Sequence, residues 1–118
     1  MLLLICGLPR AGKTTLSEQY DNEIVIHLDN TDNLYFGVER AVKDMDGDVV
    51  VDGVYSKALN RRRLLREYRG DGPRKCIWLD IPLEVRSERK NFIGFREEGF
   101  EPPTHEEGWD EIEIIRDV

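Results

Sequence analysis

The sequence predicts an α/β fold with three layers, in which helices cover both faces of a central, mostly parallel sheet of about five strands. Two observations lead to this prediction. Short apolar runs that end at turn residues alternate with helical stretches, and 118 residues are enough for one compact domain but not for two. Apolar residues make up 40% and charged residues 35% of the chain, which argues against a disordered or membrane-embedded protein. We therefore expect a single domain over residues 1–118.

Five short apolar runs predict the strands. Each is rich in aliphatic or β-branched residues, as buried parallel strands are. In chain order they cover residues 2–6, 23–28, 49–52, 75–80 and 112–115. The first is the clearest, because its apolar run stops at Gly7. Since helical stretches separate the strands, the sheet should be parallel with right-handed crossovers.

Four helices are expected between these strands. In chain order they cover residues 13–20, 31–45, 56–68 and 82–90. Thr31 or Asp32 can cap the second helix, whose apolar residues recur at helical spacing. The third helix carries many of the arginines, and Pro82 suits the first turn of the fourth. Residues 91–109 contain glycines and a proline pair, so this segment is expected to be mostly irregular.

Charge is unevenly distributed along the chain, although the net charge is -7. Residues 1–56 and 97–118 carry an acidic excess, whereas residues 57–96 carry 12 basic and 5 acidic side chains. A basic middle can create a local positive surface that holds phosphates. Arg61 and Arg62 are therefore candidate substrate-binding residues. The alternative is that the arginines of this helix form a solvated face.

One motif indicates the chemistry. Gly7-Leu8-Pro9-Arg10-Ala11-Gly12-Lys13-Thr14 matches GxxxxGK[ST] at every fixed position. It follows a predicted strand and opens a predicted helix, so residues 7–15, up to Thr15, can wrap nucleotide phosphates with the backbone N–H groups of all but Pro9. We call these residues the phosphate loop. Lys13 is expected to reach the β- and γ-phosphates, and the Thr14 hydroxyl is the predicted ligand of Mg²⁺. The expected cofactors are ATP, or another nucleoside triphosphate, and Mg²⁺. An ordinary strand-to-helix turn is the alternative.

Three carboxylates follow predicted strands at the edge where ligands of open α/β sheets bind. Asp29 is the candidate base for a hydroxyl acceptor, with a helix cap as the alternative. Asp52 is a candidate to contact substrate, or to hold Mg²⁺ or its water, with a turn before Gly53 as the alternative. Asp80, at the end of the fourth predicted strand, is the third candidate, as a Walker-B-like acid that assists the metal. The nearby Pro82 makes a helix cap an equally good alternative.

Two arginines are candidates to close over the transferring phosphoryl group, where charge builds up. Arg86 and Arg89 lie three residues apart and so share one helix face. The alternative is that both are exposed and paired with Glu84 or Glu88.

Aromatic residues and cysteines allow two further expectations. Phe92, Phe95 and Phe100 can either provide a platform for an adenine ring or fasten their segment to the core. Cys6 and Cys76 lie in apolar strand-like runs without the spacing of a metal site or a disulfide framework, so we expect reduced core residues.

These residues resemble a known group of enzymes. The phosphate loop, Asp29, Asp52 and residues 83–89 look like the P-loop kinases that include polynucleotide 5′-hydroxyl kinases, metabolite kinases and zeta-toxin-like proteins. Residues 100–112, FEPPTHEEGWDEI, are similar to the end of the kinase domain in polynucleotide kinase-phosphatases. There, a Phe-Glu-x-Pro-Thr run leads to Glu-Gly, an aromatic residue and the final strand.

The resemblance implies a P-loop NTPase fold and a kinase activity. By this resemblance, Lys13 and Thr14 bind ATP-Mg²⁺, Asp29 activates a 5′-hydroxyl, and Arg86 or Arg89 is the lid arginine. The chain departs from the group at Asp32, where some members have an arginine, and at residues 52–55, DGVY, where Asp-x-Thr-Asn is usual.

We therefore expect ATP-dependent phosphoryl transfer to a hydroxyl, with the 5′-hydroxyl end of DNA or RNA as the acceptor. A kinase of a nucleoside, nucleotide or metabolite, and a non-catalytic nucleotide-binding module, are the alternatives. No apolar run is long enough for a membrane span and no secretory signal is recognisable, so no membrane partner and a cytoplasmic location are expected.

Overall fold

The apolar runs form a parallel sheet. The computed structural model describes residues 1–8, 12–20, 24–27, 34–43, 47–81 and 100–116. The strands in this part of the chain are β1 (Leu2–Gly7), β2 (Ile24–His27), β3 (Val49–Gly53), β4 (Arg74–Leu79) and β5 (Glu111–Ile115). They form one sheet in the order β2-β3-β1-β4-β5, and the four pairings between neighbours are all parallel. The expected α/β class and parallel sheet are confirmed.

Helices connect the first four strands. They are α1 (Lys13–Ser17), α2 (Leu34–Lys43) and α3 (Ala58–Glu67). The first is shorter than expected, because its last turn tightens into a 3₁₀ helix at Glu18–Tyr20. A second 3₁₀ turn, His105–Glu107, lies in the otherwise irregular chain before β5. The helix predicted over residues 82–90 lies outside the described residues.

Two apolar cores lie on opposite faces of the sheet, because successive side chains of a strand point to opposite faces. Leu2, Leu4 and Cys6 of β1 face α2 and α3, whereas Leu3 and Ile5 face α1. All five side chains are at most 1% exposed. This double burial explains why β1 is a continuous apolar run.

Polar and sulfur contacts add to this packing. Glu39 of α2 is buried and forms an ion pair with Arg63 of α3 at 3.2 Å, which joins the two helices. Cys6 and Cys76 are buried and free, with their Sγ atoms 3.6 Å apart across β1 and β4. The prediction of reduced core cysteines is confirmed.

Candidate functional site

Two neighbouring strands, β1 and β3, send their following helices to opposite faces of the sheet. Leu16 of α1 packs on one face, whereas Leu64 and Leu65 of α3 pack on the other. The faces differ because the chain moves outward from β1 to β2 and then returns, and a right-handed crossover changes face when its direction reverses. Beyond the carboxyl ends of such strands the backbones diverge and leave a crevice, which is where open α/β sheets bind ligands. The candidate site lies there.

The described part of the phosphate loop is folded around the Lys13 side chain. Lys13 Nζ donates to the carbonyl oxygens of Gly7 at 2.9 Å and Leu8 at 3.0 Å. Gly12 has a φ of 104°, which a residue with a Cβ rarely adopts. The Leu16 amide then donates to the Gly12 carbonyl at 3.1 Å and begins α1. An ammonium group is thus held across the loop at the end of β1. Residues 9–11 and the Thr14 side chain lie outside the description.

The carboxyl end of β3 lies against the start of this loop. Asp52 is 3% exposed and pairs in register with Ile5 of β1. Two residues later, the Val54 carbonyl accepts a hydrogen bond from the Gly7 amide at 3.3 Å. The backbone that follows Asp52 is therefore hydrogen-bonded to the start of the phosphate loop.

The chain turns sharply after this contact. Tyr55 has a φ of 41°, in the left-handed region, and its side chain is fully buried. Its carbonyl accepts a hydrogen bond from Arg61 Nη1 at 2.7 Å. The first turn of α3 therefore supports the turn that follows β3.

Arg61 forms a buried ion pair with Glu107. Nε and Nη2 of Arg61 donate to the two oxygens of the Glu107 carboxylate at 2.8 and 3.0 Å. The same carboxylate accepts from the Trp109 indole at 3.1 Å and from the Thr104 amide at 3.1 Å. Burial alone would raise the pKa of Glu107, but the hydrogen bonds and positive charge of Arg61 outweigh burial and lower it. In turn, burial would lower the pKa of Arg61, and Glu107 raises it.

This environment corrects the role predicted for Arg61. The side chain is 0% exposed and its charge is directed at Glu107, so it is not on the surface where a substrate phosphate could meet it. Neither the substrate-binding role nor the solvated-face alternative fits this residue. Arg62, the neighbouring candidate, is exposed and stays available to a ligand.

The spacing of apolar residues on α3 could have identified Arg61. Leu64, Leu65 and Tyr68 follow it by three, four and seven residues, which is the spacing of one buried helix face. Glu107 also carried a local signal, since Thr104 precedes it by three residues, as in a capping box. Nothing in the sequence paired these two residues across 46 positions.

The other predicted residues have different outcomes. Asp80, at the end of β4, accepts a hydrogen bond from Arg116 Nε at 3.0 Å beside β5. Phe100 stacks on Trp78 with ring centroids 5.1 Å apart, and the Arg61 guanidinium lies 5.7 Å from its centroid. Phe100 therefore fastens its segment to the core, which was the second of the two expectations. Five candidates lie outside the described residues: Asp29, Arg86, Arg89, Phe92 and Phe95.

Within the described ranges, no group of three or more His, Cys, Asp and Glu side chains could hold a metal ion. No helix found in those ranges has the length and apolar character needed to cross a membrane. Comparison of the chain with models of known protein families and with curated proteins gives no match.

Proposed function

We propose that the protein is an ATP-dependent kinase with a P-loop NTPase fold, which transfers a phosphoryl group to a hydroxyl acceptor with the help of Mg²⁺. One observation carries this proposal. The sequence carries a complete GxxxxGK[ST] motif, and its described residues lie at the carboxyl end of β1, with the Lys13 ammonium 2.9 Å from the Gly7 carbonyl. A structural turn has no need of a lysine held across it.

The chemistry assigns a task to each group. In this proposal Lys13 and the amides of the phosphate loop bind the phosphates, and the Thr14 hydroxyl contributes to Mg²⁺ binding. Bound Mg²⁺ supplies positive charge that favours transfer. Asp52 is a buried carboxylate near the carboxyl end of β3. Its oxygen atoms suit Mg²⁺, or a water molecule bound to Mg²⁺. Asp29 is the proposed acceptor of the hydroxyl proton.

We propose the 5′-hydroxyl end of a polynucleotide as the acceptor, because the outer face of α3 is basic in an acidic protein. Arg62 and Arg66 are exposed, one turn apart, and Arg40 and Lys43 are exposed on the neighbouring α2. Arg63 is committed to Glu39 and contributes less. Exposed cations on two helices that follow the carboxyl ends of the strands suit the phosphate backbone of a nucleic acid strand.

Transfer of label from γ-labelled ATP tests the proposal. The protein is incubated with Mg²⁺, labelled ATP and, in separate reactions, 5′-hydroxyl DNA, 5′-hydroxyl RNA, nucleosides and small hydroxyl metabolites. Label on an oligonucleotide supports the proposed acceptor, and label on a small molecule supports the metabolite-kinase alternative. Release of free phosphate alone, or no ATP binding at all, contradicts a kinase.

Two carboxylate variants then identify the base. Asp29→Asn keeps shape and hydrogen bonding but removes the proton acceptor, so transfer should fall by roughly 10² or more while ATP binding survives. Asparagine caps a helix about as well as aspartate, so the capping alternative predicts a nearly silent change. Asp52→Asn is measured beside it, with Asp71→Asn in an exposed turn as the matched control. Transfer at the wild-type rate by Asp29→Asn would move the role of base to Asp52.

A further inference from the structure

A strained residue follows the β3 end of the candidate site. Tyr55, with its φ of 41°, is a bulky residue in the left-handed region. Such a conformation is strained and persists only where the surrounding structure imposes it. The groups that impose it therefore indicate what the turn is needed for.

Hydrogen bonds between described residues hold the turn, including one on the phosphate-loop side and three on the opposite side. On the loop side, the Gly7 amide donates to the Val54 carbonyl at 3.3 Å. On the opposite side, Arg61 donates to the Tyr55 carbonyl at 2.7 Å. Residue 101 makes the other two contacts, to Ser56 and Ala58, at 2.8 and 2.9 Å.

The segment that precedes β5 therefore reaches the phosphate loop through a short series of contacts. Glu107 fixes the Arg61 guanidinium with two hydrogen bonds, and the guanidinium fixes Tyr55. The Val54 carbonyl, one residue before, accepts from the first amide of the phosphate loop. Each of these contacts is a hydrogen bond, and the Arg61 and Glu107 side chains are buried. Displacement of one group should therefore displace the next group in the series.

We infer that Arg61 is a positioning residue for nucleotide binding: held by Glu107, it sets the turn at Tyr55 and thereby the place of Asp52 and of the Gly7 amide. This inference rests on the proposed function for its consequence, weaker binding of Mg·ATP. Its structural part, control of the Gly7 amide, does not depend on any activity. Arg61 touches no reacting atom in this role.

A double variant distinguishes this positioning role from a role of Arg61 in stability alone. Arg61→Ala would leave the Glu107 carboxylate buried without its cation, and the chain could unfold for that reason alone. Arg61→Met with Glu107→Gln avoids this, because the amide oxygen of glutamine can still accept from Trp109. The double variant removes the contact to the Tyr55 carbonyl and leaves no buried charge.

The control variant is Val42→Ala, a cavity in α2 below the same apolar face. Unfolding in urea first establishes how far each variant is destabilised. Exchange of the Gly7 amide with solvent is then followed by NMR, and the affinity for Mg·ATP is measured with a fluorescent ATP analogue. Arg61→Lys with native Glu107 provides a conservative variant that keeps the charge.

We expect the double variant to exchange the Gly7 amide faster and to bind Mg·ATP about tenfold more weakly, the size of a typical coupling between two sites. Arg61→Lys should recover part of both properties, and Val42→Ala should change neither beyond the general effect of its lower stability. Wild-type exchange and affinity in the double variant would overturn the inference. If the wild-type protein binds no Mg·ATP, the proposed function fails, and exchange at Gly7 alone decides the positioning role.

Discussion

Each end of the sheet is organised around one arginine, and the two arginines are held in different ways. At the carboxyl end, Arg61 is fully buried and faces the Glu107 carboxylate. At the amino end, Arg74 is partly exposed and donates to backbone carbonyls of residues 68–72, with its guanidinium 5.1 Å from the Tyr68 ring centroid. One arginine is matched by a charge and the other by neutral acceptors.

The difference follows from what each end must hold. A buried guanidinium needs a carboxylate with good geometry, since its desolvation penalty is otherwise uncompensated, and the result is a rigid and directional contact. Arg74 closes a surface turn before β4, where water can replace a lost hydrogen bond. The Arg61–Glu107 ion pair, which requires good geometry, is found beside the candidate site. The contacts of Arg74, which water can replace, lie at the opposite end of the sheet.

The largest expected effect is on phosphoryl transfer, and it distinguishes the carboxyl end of the sheet from the amino end. Lys13→Ala should lower phosphoryl transfer by roughly 10³ or more, since a cation beside the transferring group is removed. Its melting temperature should stay near that of the wild type, because the Lys13 ammonium lies at a loop, where it donates to the carbonyls of Gly7 and Leu8, and not in an apolar core. Arg74→Ala is the matched control at the amino end and should transfer at the wild-type rate. Wild-type turnover by Lys13→Ala would remove the phosphate-loop interpretation.

The next effect compares the arginines by stability. Arg61→Ala should destabilise the fold by about 3–5 kcal/mol, because the buried Glu107 carboxylate loses its partner. Arg74→Ala should lose about 1–2 kcal/mol, from hydrogen bonds that water partly replaces and from the contact with Tyr68. Urea unfolding of both variants measures the difference. Equal losses of stability in the two variants would mean that the buried Arg61–Glu107 ion pair stabilises the fold no more than the contacts of Arg74 do.

A smaller effect concerns the basic face of α3. Neutralising Arg62 and Arg66 with glutamine should weaken oligonucleotide binding and reduce its salt slope by about 2, one for each lost phosphate contact. Lys75→Gln with Arg116→Gln removes the same charge from the β4–β5 side and is the control. Affinity for ATP should change little in either protein. An unchanged salt slope after the α3 substitutions would favour a solvated helix face.

The smallest effect is a difference in acid sensitivity. Arg61 lowers the pKa of Glu107 below its ordinary value of 4.5, so the ionised pair stabilises the fold above that pH. This stabilisation is lost as the pH falls from 4.5 through the lowered pKa. The Arg74 acceptors are carbonyls and do not titrate. Urea unfolding at pH values on both sides of 4.5 should show wild type and the double variant converging in acid, while the difference between wild type and Arg74→Ala persists.

Much of the sheet could be predicted from the sequence because its strands are buried on both faces. The run that became β1 has no polar residue, and the observed strand differs from the predicted one by Gly7 alone. The 3₁₀ turn at Glu18–Tyr20 was missed, since its residues continue a helical pattern and only tertiary packing tightens the turn.

The candidate site was predicted in part, because its motif is local and its supports are not. Lys13 follows β1 and Asp52 lies near the carboxyl end of β3, so their place at one edge of the sheet could be inferred. Arg61 was assigned to the surface because it lies in a run of three arginines, and charge outweighed helical spacing in that interpretation. Its partner Glu107 is 46 residues away, and only the folded chain brings the two together.

The two buried cysteines at the centre of the sheet provide an internal probe of how often the core opens. Cys6 and Cys76 are fully buried, and contact with Cys6 together with burial raises the pKa of the Cys76 thiol, so neither sulfur should meet an alkylating reagent until β1 and β4 separate. The rate of alkylation therefore measures opening of the core rather than fraying of its edges. A molecule that binds only the folded chain lowers the population of the open state, and so slows that reaction by the factor 1 + [L]/Kd. Iodoacetamide and a mass spectrometer could thus screen nucleotides and acceptors for binding before any reaction is known.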